Sequence, residues 1–173
     1  PAGLGALAQA EAAHTTAMQL DPSQPSIRLA LAMLYDEHGL LEQARGAYQS
    51  ALSLQESAAA RAALASVYQR LGQLALAQRE YERALALEPG RTDYQIALAL
   101  VYIAQDQPEG ALEQIAATLR QQPEHALAHF LAGLAHEKMG QKDQAIQSYR
   151  AALLHSGQDD NLNRNAQAQL SRL

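Results

Sequence analysis

The sequence contains no cysteine and no tryptophan, and only one phenylalanine. The missing cysteine excludes disulfides and thiol chemistry, and it fits either a cytosolic or a periplasmic protein. Apolar residues nevertheless make up 48% of the 173 residues, which is enough for one ordinary domain with its own core. With so few large aromatic side chains, we expect that core to consist mainly of alanine, leucine and tyrosine.

The chain also lacks an excess of positive charge. Its formal net charge is −5, and the two signs are mixed along the sequence without a basic stripe that could neutralise phosphates. This argues against nucleic acid as the main partner. No run approaches 18 consecutive apolar residues, so we predict no direct insertion into a membrane. The first residue is Pro1 and no signal peptide is visible, which indicates a processed chain or a piece of a longer one.

Motifs for catalysis are missing as well. There is no cysteine nucleophile, no glycine-rich phosphate loop, and no Ser-His-Asp pattern in a context that would expose a nucleophile. The paired acids Asp36 with Glu37 and Asp159 with Asp160 are interpreted as solvated helix ends. We therefore predict that the protein is not an enzyme and binds no cofactor.

What the sequence does contain is a repeat of 33 or 34 residues. The stretch YQRLGQLALAQREYERALALEP, from Tyr68 to Pro89, shares its spacing with other segments. Five columns keep one register, so chance is a poor explanation. The columns are Ala10, Ala44, Ala77, Ala111 and Ala145; Tyr35, Tyr68, Tyr102 and His136; Gly5, Gly39, Gly72, Asp106 and Gly140; Pro22, Glu56, Pro89, Pro123 and Gly157; and the small residues Ala32, Ala65, Ala99 and Gly133.

Each repeat is interpreted as two helices joined by a short turn. In the best preserved repeat we predict helices over 58–71 and 74–87, because alanine, leucine, glutamine, glutamate and arginine all favour helix. Gly72 suits a left-handed residue after the first helix, and Pro89 ends the second. In the next repeat Asp106 replaces the glycine. Pro25 and Pro108 are expected in the first turn of a helix, where proline is favoured.

This pattern resembles the tetratricopeptide repeat (TPR) family, and the resemblance extends over essentially the whole chain. It rests on Ala65, Tyr68, Ala77, Tyr81, Ala84 and Pro89 and on their equivalents in the other repeats. The resemblance implies an all-α fold, a right-handed α-solenoid (superhelix) of helix-turn-helix units. Two departures, which we expect to weaken packing locally, are polar residues where the family often has tryptophan and altered second-helix residues in the third repeat. They are Arg28, Arg61, Gln95 and His129, and Ile115 and Thr118.

The predicted organisation is a partial repeat over 1–22, four repeats over 25–56, 58–91, 92–125 and 126–157, and a capping helix over 159–173. In the partial repeat, the first helix is reduced to Pro1–Leu4 and Gly5 marks the turn, so we expect the native chain to continue upstream. The exposed second helix, with Leu7, Ala10, Ala13 and Ala17, is expected to favour a weak homodimer. In the capping helix, Asp159 or Asp160 is the expected N-cap, and an inner face is formed by Leu162, Ala166 and Leu170.

The resemblance also implies a concave groove lined by positions two, five, nine and twelve of each first helix. We predict that it binds an amphipathic or extended segment of a protein partner. The predicted groove residues are Leu29, Met33, Asp36, Ser66, Gln69, Ile96, Leu100, Ile103, Leu127, Phe130, Leu134 and Glu137, and the remaining four positions are Ser26, Ala59, Ala62 and Asp93. Two alternatives stay open. The capping helix could cover Leu127, Phe130 and Leu134, or the whole array could be a structural spacer or scaffold without a groove ligand.

Two more specific sites are not supported by the sequence. Family members that hold a C-terminal carboxylate use Lys, Asn and Arg in the groove, whereas here Arg70 is the only nearby cation among apolar and small residues. His125, His129 and His136 fall near one helical face, a possible metal constellation. However, His136 occupies the tyrosine column, and no carboxylate or cysteine completes a ligand set. We predict no metal site.

The setting rests on analogy with the family alone. The Ala/Gln/Leu-rich repeats look bacterial and are similar to TPR arrays in assemblies for pili, secretion or exopolysaccharide export. Fold does not determine function. The compartment is therefore left open between the cytoplasm and the periplasm or cell envelope, with a preference for the envelope.

Overall fold

The computed structural model describes residues 2–21 and 23–173, with side chains from residue 9 onward except those of Ala10 and Met18. These residues form helices and connecting turns without strands, which confirms the predicted all-α fold class. The helices are α1 (Ala2–Leu20), α2 (Pro25–Glu37), α3 (Leu41–Leu54), α4 (Ala58–Arg70), α5 (Leu74–Leu87), α6 (Thr92–Ala104), α7 (Pro108–Gln121), α8 (Ala126–Lys138), α9 (Lys142–His155) and α10 (Asp160–Arg172).

The chain divides into two compact units, Pro1–Pro89 and Gly90–Leu173. In the first unit, α2 packs against α3 and α4 against α5, with α1 lying against α2. In the second unit, α6 packs against α7 and α8 against α9, and α10 closes on α9. The helices thus pair as the repeat pattern predicts. The repeat boundaries themselves stay a prediction.

The turns inside the helix pairs share a left-handed residue. Gly39, Gly72 and Gly140 have φ values of 71°, 73° and 70°. Asp106 has φ 59° in the corresponding turn, where an aspartate is tolerated better than most side chains because it is short and polar. This conformation confirms the turn column at these four positions, including its one non-glycine member.

The predicted helix starts are also confirmed where proline or aspartate specifies them. Pro25 and Pro108 lie in the first turns of α2 and α7. The Asp159 carboxylate accepts hydrogen bonds from the backbone N–H groups of Asn161 and Leu162, at 3.1 and 3.0 Å, and so caps α10. Within α10, Leu162 is buried, which is the inner face expected of a terminal helix.

The first helix differs from the prediction. No turn forms at Gly5, because α1 runs without interruption from Ala2 to Leu20. The glycine column had aligned Gly5 with true turn residues, but Gly5 lies inside α1, because a shared column position does not by itself fix the backbone conformation. Ala13 is exposed and Ala17 half-buried, whereas Leu7, Ala10 and Pro22 fall outside the described side chains. The homodimer through this helix stays a prediction.

The core of each unit is built on small residues that let paired helices approach closely. Ala44, Ala77, Ala111 and Ala145 are all fully buried. The small residues of the first helices, Ala32, Ala65 and Ala99, are also fully buried. At Gly133, the fourth small position, a Cβ atom would lie 2.4 Å from the ring of Tyr149. Large side chains of the second helices fill the space that the small residues leave, so each helix pair combines small and large side chains in a close-packed core. These large residues are Tyr48, Tyr81, Ile115 and Tyr149.

Candidate partner-binding surface

For each unit by itself, we use the name first-helix surface for positions two, five, nine and twelve of its first helices, which are α2 and α4 in the first unit and α6 and α8 in the second. In the first unit, Met33 is 51% exposed on α2. Leu29, one turn earlier, is half-buried and lines a cavity of about 410 Å³ together with Ser26 and Leu87. The first-helix surface of the first unit therefore offers one exposed large apolar side chain, Met33, and a shallow cavity at Leu29, one turn away.

The charged residue of the first unit's surface is already paired. Asp36 on α2 forms an ion pair with Arg70 on α4, and the two side chains are 23% and 44% exposed. Burial and the nearby acids Asp36 and Glu37 raise the pKa of Tyr48 to about 12. Arg70 is the nearby cation noted in the sequence, and its pairing with Asp36 neutralises the one charged position of the first unit's first-helix surface.

The two polar residues of α4 on this surface are half-buried. Burial raises the pKa of the Tyr81 hydroxyl on α5. A hydrogen bond between this hydroxyl and Ser66 lowers the pKa by a smaller amount, so the net shift is upward. Gln69 lies one turn further along α4. The Ser66 hydroxyl thus contributes to the packing between α4 and α5 as well as to the surface.

In the second unit, most of the apolar residues predicted for the groove pack inside the unit. Ile96 is only 7% exposed and belongs to a cluster with Ala99, Ala111, Ile115 and Leu131. Three more of the predicted groove residues are partly buried against the same cluster, namely Ile103, Phe130 and Leu134. Their apolar area stabilises the helix pairs, so much of it is not available to a partner.

Two leucines on the first-helix surface of the second unit do remain exposed. Leu100 on α6 and Leu127 on α8 are each 37% exposed. The alternative that the capping helix covers Leu127, Phe130 and Leu134 stays a prediction for Phe130 and Leu134, whereas Leu127 keeps more than a third of its surface in solvent. Leu100 and Leu127, together with Met33 in the first unit, are the positions where the first-helix surface presents large apolar side chains.

Glu137 is the last predicted surface residue of α8, and it is half-buried. The hydroxyl of Tyr149 on α9 donates a hydrogen bond to its carboxylate. The ring of Phe130 lies against that of Tyr149, with ring centroids 5.6 Å apart and planes tilted by 49°. Burial, and then the hydrogen bond and charge of Glu137, strongly raise the pKa of Tyr149. The carboxylate is therefore held by a neutral donor.

A polar column that lies outside the predicted groove has a structural role that sequence reasoning missed. Where the family often has tryptophan, each first helix contacts the second helix of its own pair through a polar side chain. The contacts are Arg28 with Ser50, Arg61 with Glu80, Gln95 with Thr118, and His129 with His155. The signal lay in the 33- to 34-residue recurrence of polar residues on α2, α4, α6 and α8, but their partners could not be read from it.

The strongest of these contacts is in the first unit. Arg61 and Glu80 are only 13% and 11% exposed, and Arg61 also donates to Glu56 while Arg83 donates to Glu80 at 3.0 Å. The hydrogen bond from Arg61 holds the pKa of Glu56 below its usual range. Four charges thus form one neutral network that ties α4 to α5.

The three histidines considered for metal binding have separate partners. His125 accepts from the backbone N–H of Ala128 at 3.1 Å and caps α8. His129 donates to the carbonyl of Pro123 at 2.8 Å, and His136 bonds to Gln141 at 2.7 Å. Across the described part of the chain, no group of three or more potential ligands comes together.

The same described residues include no helix that is both long enough and apolar enough to cross a membrane.

Comparison with known families identifies the repeat. Family models described as tetratricopeptide repeat match residues 58–91 and 96–161, which together make up more than half of the chain. No curated protein is significantly similar to the chain in sequence.

Several solved structures share the fold. MamA is 26% identical over 92% of this chain and 87% of its own, with a TM-score of 0.82. YrrB, a TPR protein described as having an unusual peptide-binding site, is 23% identical over 96% and 86%, with a TM-score of 0.84. PilW, a type IV pilus biogenesis factor, is 19% identical over 96% and 85%, with a TM-score of 0.72.

Proposed function

Because the chain belongs to the tetratricopeptide repeat family, whose members are protein-interaction modules, we propose that it is an adaptor that holds an extended or amphipathic segment of a partner protein on its first-helix surface. Binding, rather than catalysis, is the proposed activity. The described peptide-binding site of YrrB supports this choice, since YrrB shares the fold. The pilus role of PilW supports a place in a bacterial envelope assembly.

The observation that carries the proposal is the exposure of Met33, Leu100 and Leu127. Large apolar side chains in water lose the free energy that burial would provide, about 25 cal/mol per Å². Partner segments that bind TPR surfaces bring apolar anchors, and these three residues are where such anchors would gain most. All three lie on first helices, at positions that the family resemblance implies.

A rival surface exists on the second helices. Leu54, Leu87 and Leu154 are also exposed, and each lies at or next to the end of its second helix. They suit the alternative function, a scaffold that positions neighbouring domains or associates with itself through repeat edges. A weak homodimer through α1, where Ala13 is exposed, belongs to the same alternative.

The test is a pull-down from an extract of the source cell, read by mass spectrometry. Wild type is compared with Leu100→Glu/Leu127→Glu and with the matched control Leu54→Glu/Leu154→Glu, after circular dichroism has shown that all three are folded. A protein captured by wild type and by the control, but lost with Leu100→Glu/Leu127→Glu, is the expected result. Loss with the control alone would instead establish the second-helix scaffold.

A further inference from the structure

Position twelve is acidic on one first helix of each unit, namely Asp36 on α2 and Glu137 on α8, but only one of these two acids is neutralised. In the first unit, Asp36 forms its ion pair with Arg70. In the second unit, Glu137 accepts from the uncharged hydroxyl of Tyr149, and among the described residues it forms no ion pair. At position twelve, the second unit therefore presents a fixed negative charge that the first unit does not.

Tyr149 holds this carboxylate from below. The tyrosine is fully buried, and Gly133 leaves the space that its ring occupies, since a Cβ atom there would lie 2.4 Å away. The ring of Phe130 also packs against the ring of Tyr149. A side chain fixed in this way keeps its hydroxyl in one place, so the carboxylate above it loses little conformational freedom when a ligand arrives.

The charges around Glu137 favour a cation. The eight positions of the second unit's first-helix surface include two ionisable residues, Asp93 and Glu137, and both are acids. Asp93 is bonded to Arg91, which lowers the pKa of Asp93. The adjacent Lys138 is paired with Asp106 at 2.7 Å. The guanidinium of Arg172, which acts on Tyr149, donates to Gln169 at 3.2 Å. Among the described residues, neither cation forms an ion pair with Glu137. Charge complementarity thus specifies a basic ligand at Glu137.

The apolar neighbours specify the rest of the ligand. Phe130 and Glu137 are seven residues apart on α8, which corresponds to about 10 Å along a helix. In an extended peptide, about three residues span that distance. A segment with a basic residue three positions from an apolar one would therefore contact both side chains.

We propose that Glu137 is a specificity-determining residue that binds a lysine or arginine of the partner segment, with the segment's apolar residue on Phe130 and Leu127. Tyr149 is its positioning residue. A charge-assisted hydrogen bond to a half-buried carboxylate is stronger than one between neutral groups, so a basic residue is preferred over a neutral one. This inference rests on the proposed function and adds the chemistry of the partner.

The test uses a random dodecapeptide library displayed on phage and selected on the full chain. The targets are wild type, Glu137→Gln, Tyr149→Phe and Leu127→Glu, each checked for folding by thermal melting. The matched control is Asp36→Asn, since Arg70 already neutralises Asp36. On wild type, lysine or arginine three positions from an apolar residue should rise to about five times its unselected frequency, the order expected for one partly exposed charge contact.

The preference for a basic residue should be kept by Asp36→Asn and lost on Glu137→Gln, while selection of the apolar residue continues on both. Equal basic enrichment on wild type and Glu137→Gln would overturn the inference. Failure of wild type to enrich any peptide beyond Leu127→Glu would overturn the proposed function, and this inference with it.

The positioning role needs a separate readout. The best peptide is synthesised with its arginine and with citrulline, the neutral analogue of arginine, and binding is followed by fluorescence anisotropy. Tyr149→Phe should reduce the arginine-to-citrulline affinity ratio at least twofold and leave the citrulline affinity unchanged. A drop in both affinities with an unchanged ratio would show that Tyr149 acts only in packing.

Discussion

The two units use the same repeat positions for different contacts. In the first unit, charged side chains pair with one another, as in Arg61 with Glu80 and Asp36 with Arg70. In the second unit, the neutral pair of Gln95 with Thr118 replaces that of Arg61 with Glu80. Glu137, at the repeat position of Asp36, is held by a tyrosine, while Lys138, at the repeat position of Arg70, pairs with Asp106 instead. The packing of paired helices is maintained in both, because the small and large columns are shared.

This difference shows that the repeat specifies which positions face each other but not the chemistry with which they do so. A position that faces the second helix of its own pair accepts an ion pair or a hydrogen bond, provided that the partner changes with it. Positions with an unbalanced charge are then the ones where one unit can acquire a specificity that the other lacks.

The largest expected effect comes from removing the buried cation of the first unit. Arg61→Ala leaves Glu80 buried with only Arg83 as a partner, and should cost about 3–4 kcal/mol of unfolding free energy. The equivalent change in the second unit, Gln95→Ala, should cost only about 1–2 kcal/mol, because it removes a neutral hydrogen bond. Hydrogen exchange in α4 and α5 measures the cost of Arg61→Ala, and hydrogen exchange in α6 and α7 measures the cost of Gln95→Ala. Equal costs would mean that the ionic network contributes no more than the neutral pair.

The close contact of Gly133 with Tyr149 gives the next effect. Gly133→Ala forces the Tyr149 ring to move and should destabilise the second unit by about 3 kcal/mol, at the upper end for overpacking. Gly46 on α3 is the matched control, since no atom lies within 4 Å of the Cβ that would be added there. Gly46→Ala should stabilise the first unit by about 0.5–1 kcal/mol. Urea unfolding gives both values, and the same sign for both would contradict the packing described for Gly133.

The first unit should lose stability in alkali through Tyr48. Its pKa is raised to about 12 in the folded chain, so the stabilisation is fully present below pH 10 and is lost as the pH rises toward 12. The loss should be on the order of 2 kcal/mol. Thermal melting from pH 9 to 12 should show a steeper decline for wild type than for Tyr48→Phe. Parallel declines would show that Tyr48 is not the group responsible.

The smallest effect is expected at the exposed ion pair of the first unit. Asp36→Asn should change the unfolding free energy by less than about 1 kcal/mol, because Arg70 is nearly half exposed and solvent screens the pair. A urea titration at low and at high salt should give nearly the same difference. A cost well above this value would place Asp36 among the buried charges and weaken the contrast with Glu137.

Much of the fold could be predicted because it depends on local and periodic features. The helices predicted over 58–71 and 74–87 are found at Ala58–Arg70 and Leu74–Leu87, and the turn at Asp106 is left-handed as expected. Gly5 was misassigned, because a shared column position does not by itself fix the backbone conformation.

The binding surface was harder to predict, because the exposure of a side chain depends on which residues of other helices pack against it. Ile96 has the same periodic position as Leu29, yet it is buried in the core cluster, whereas Leu100 on the same helix remains exposed. The ion pair of Arg61 with Glu80 joins residues 19 positions apart, and only the packing of α4 on α5 brings them together.

The most direct test of the account is site-specific photo-crosslinking to the partner. A benzophenone amino acid is placed at Leu100 or Leu127 on first helices, and at Leu54 or Leu154 on second helices, in otherwise wild-type chains. The account predicts that a single partner protein crosslinks from Leu100 and Leu127 and only weakly from the other two. Crosslinks of equal or greater yield from Leu54 and Leu154 would contradict it and place the partner on the second helices.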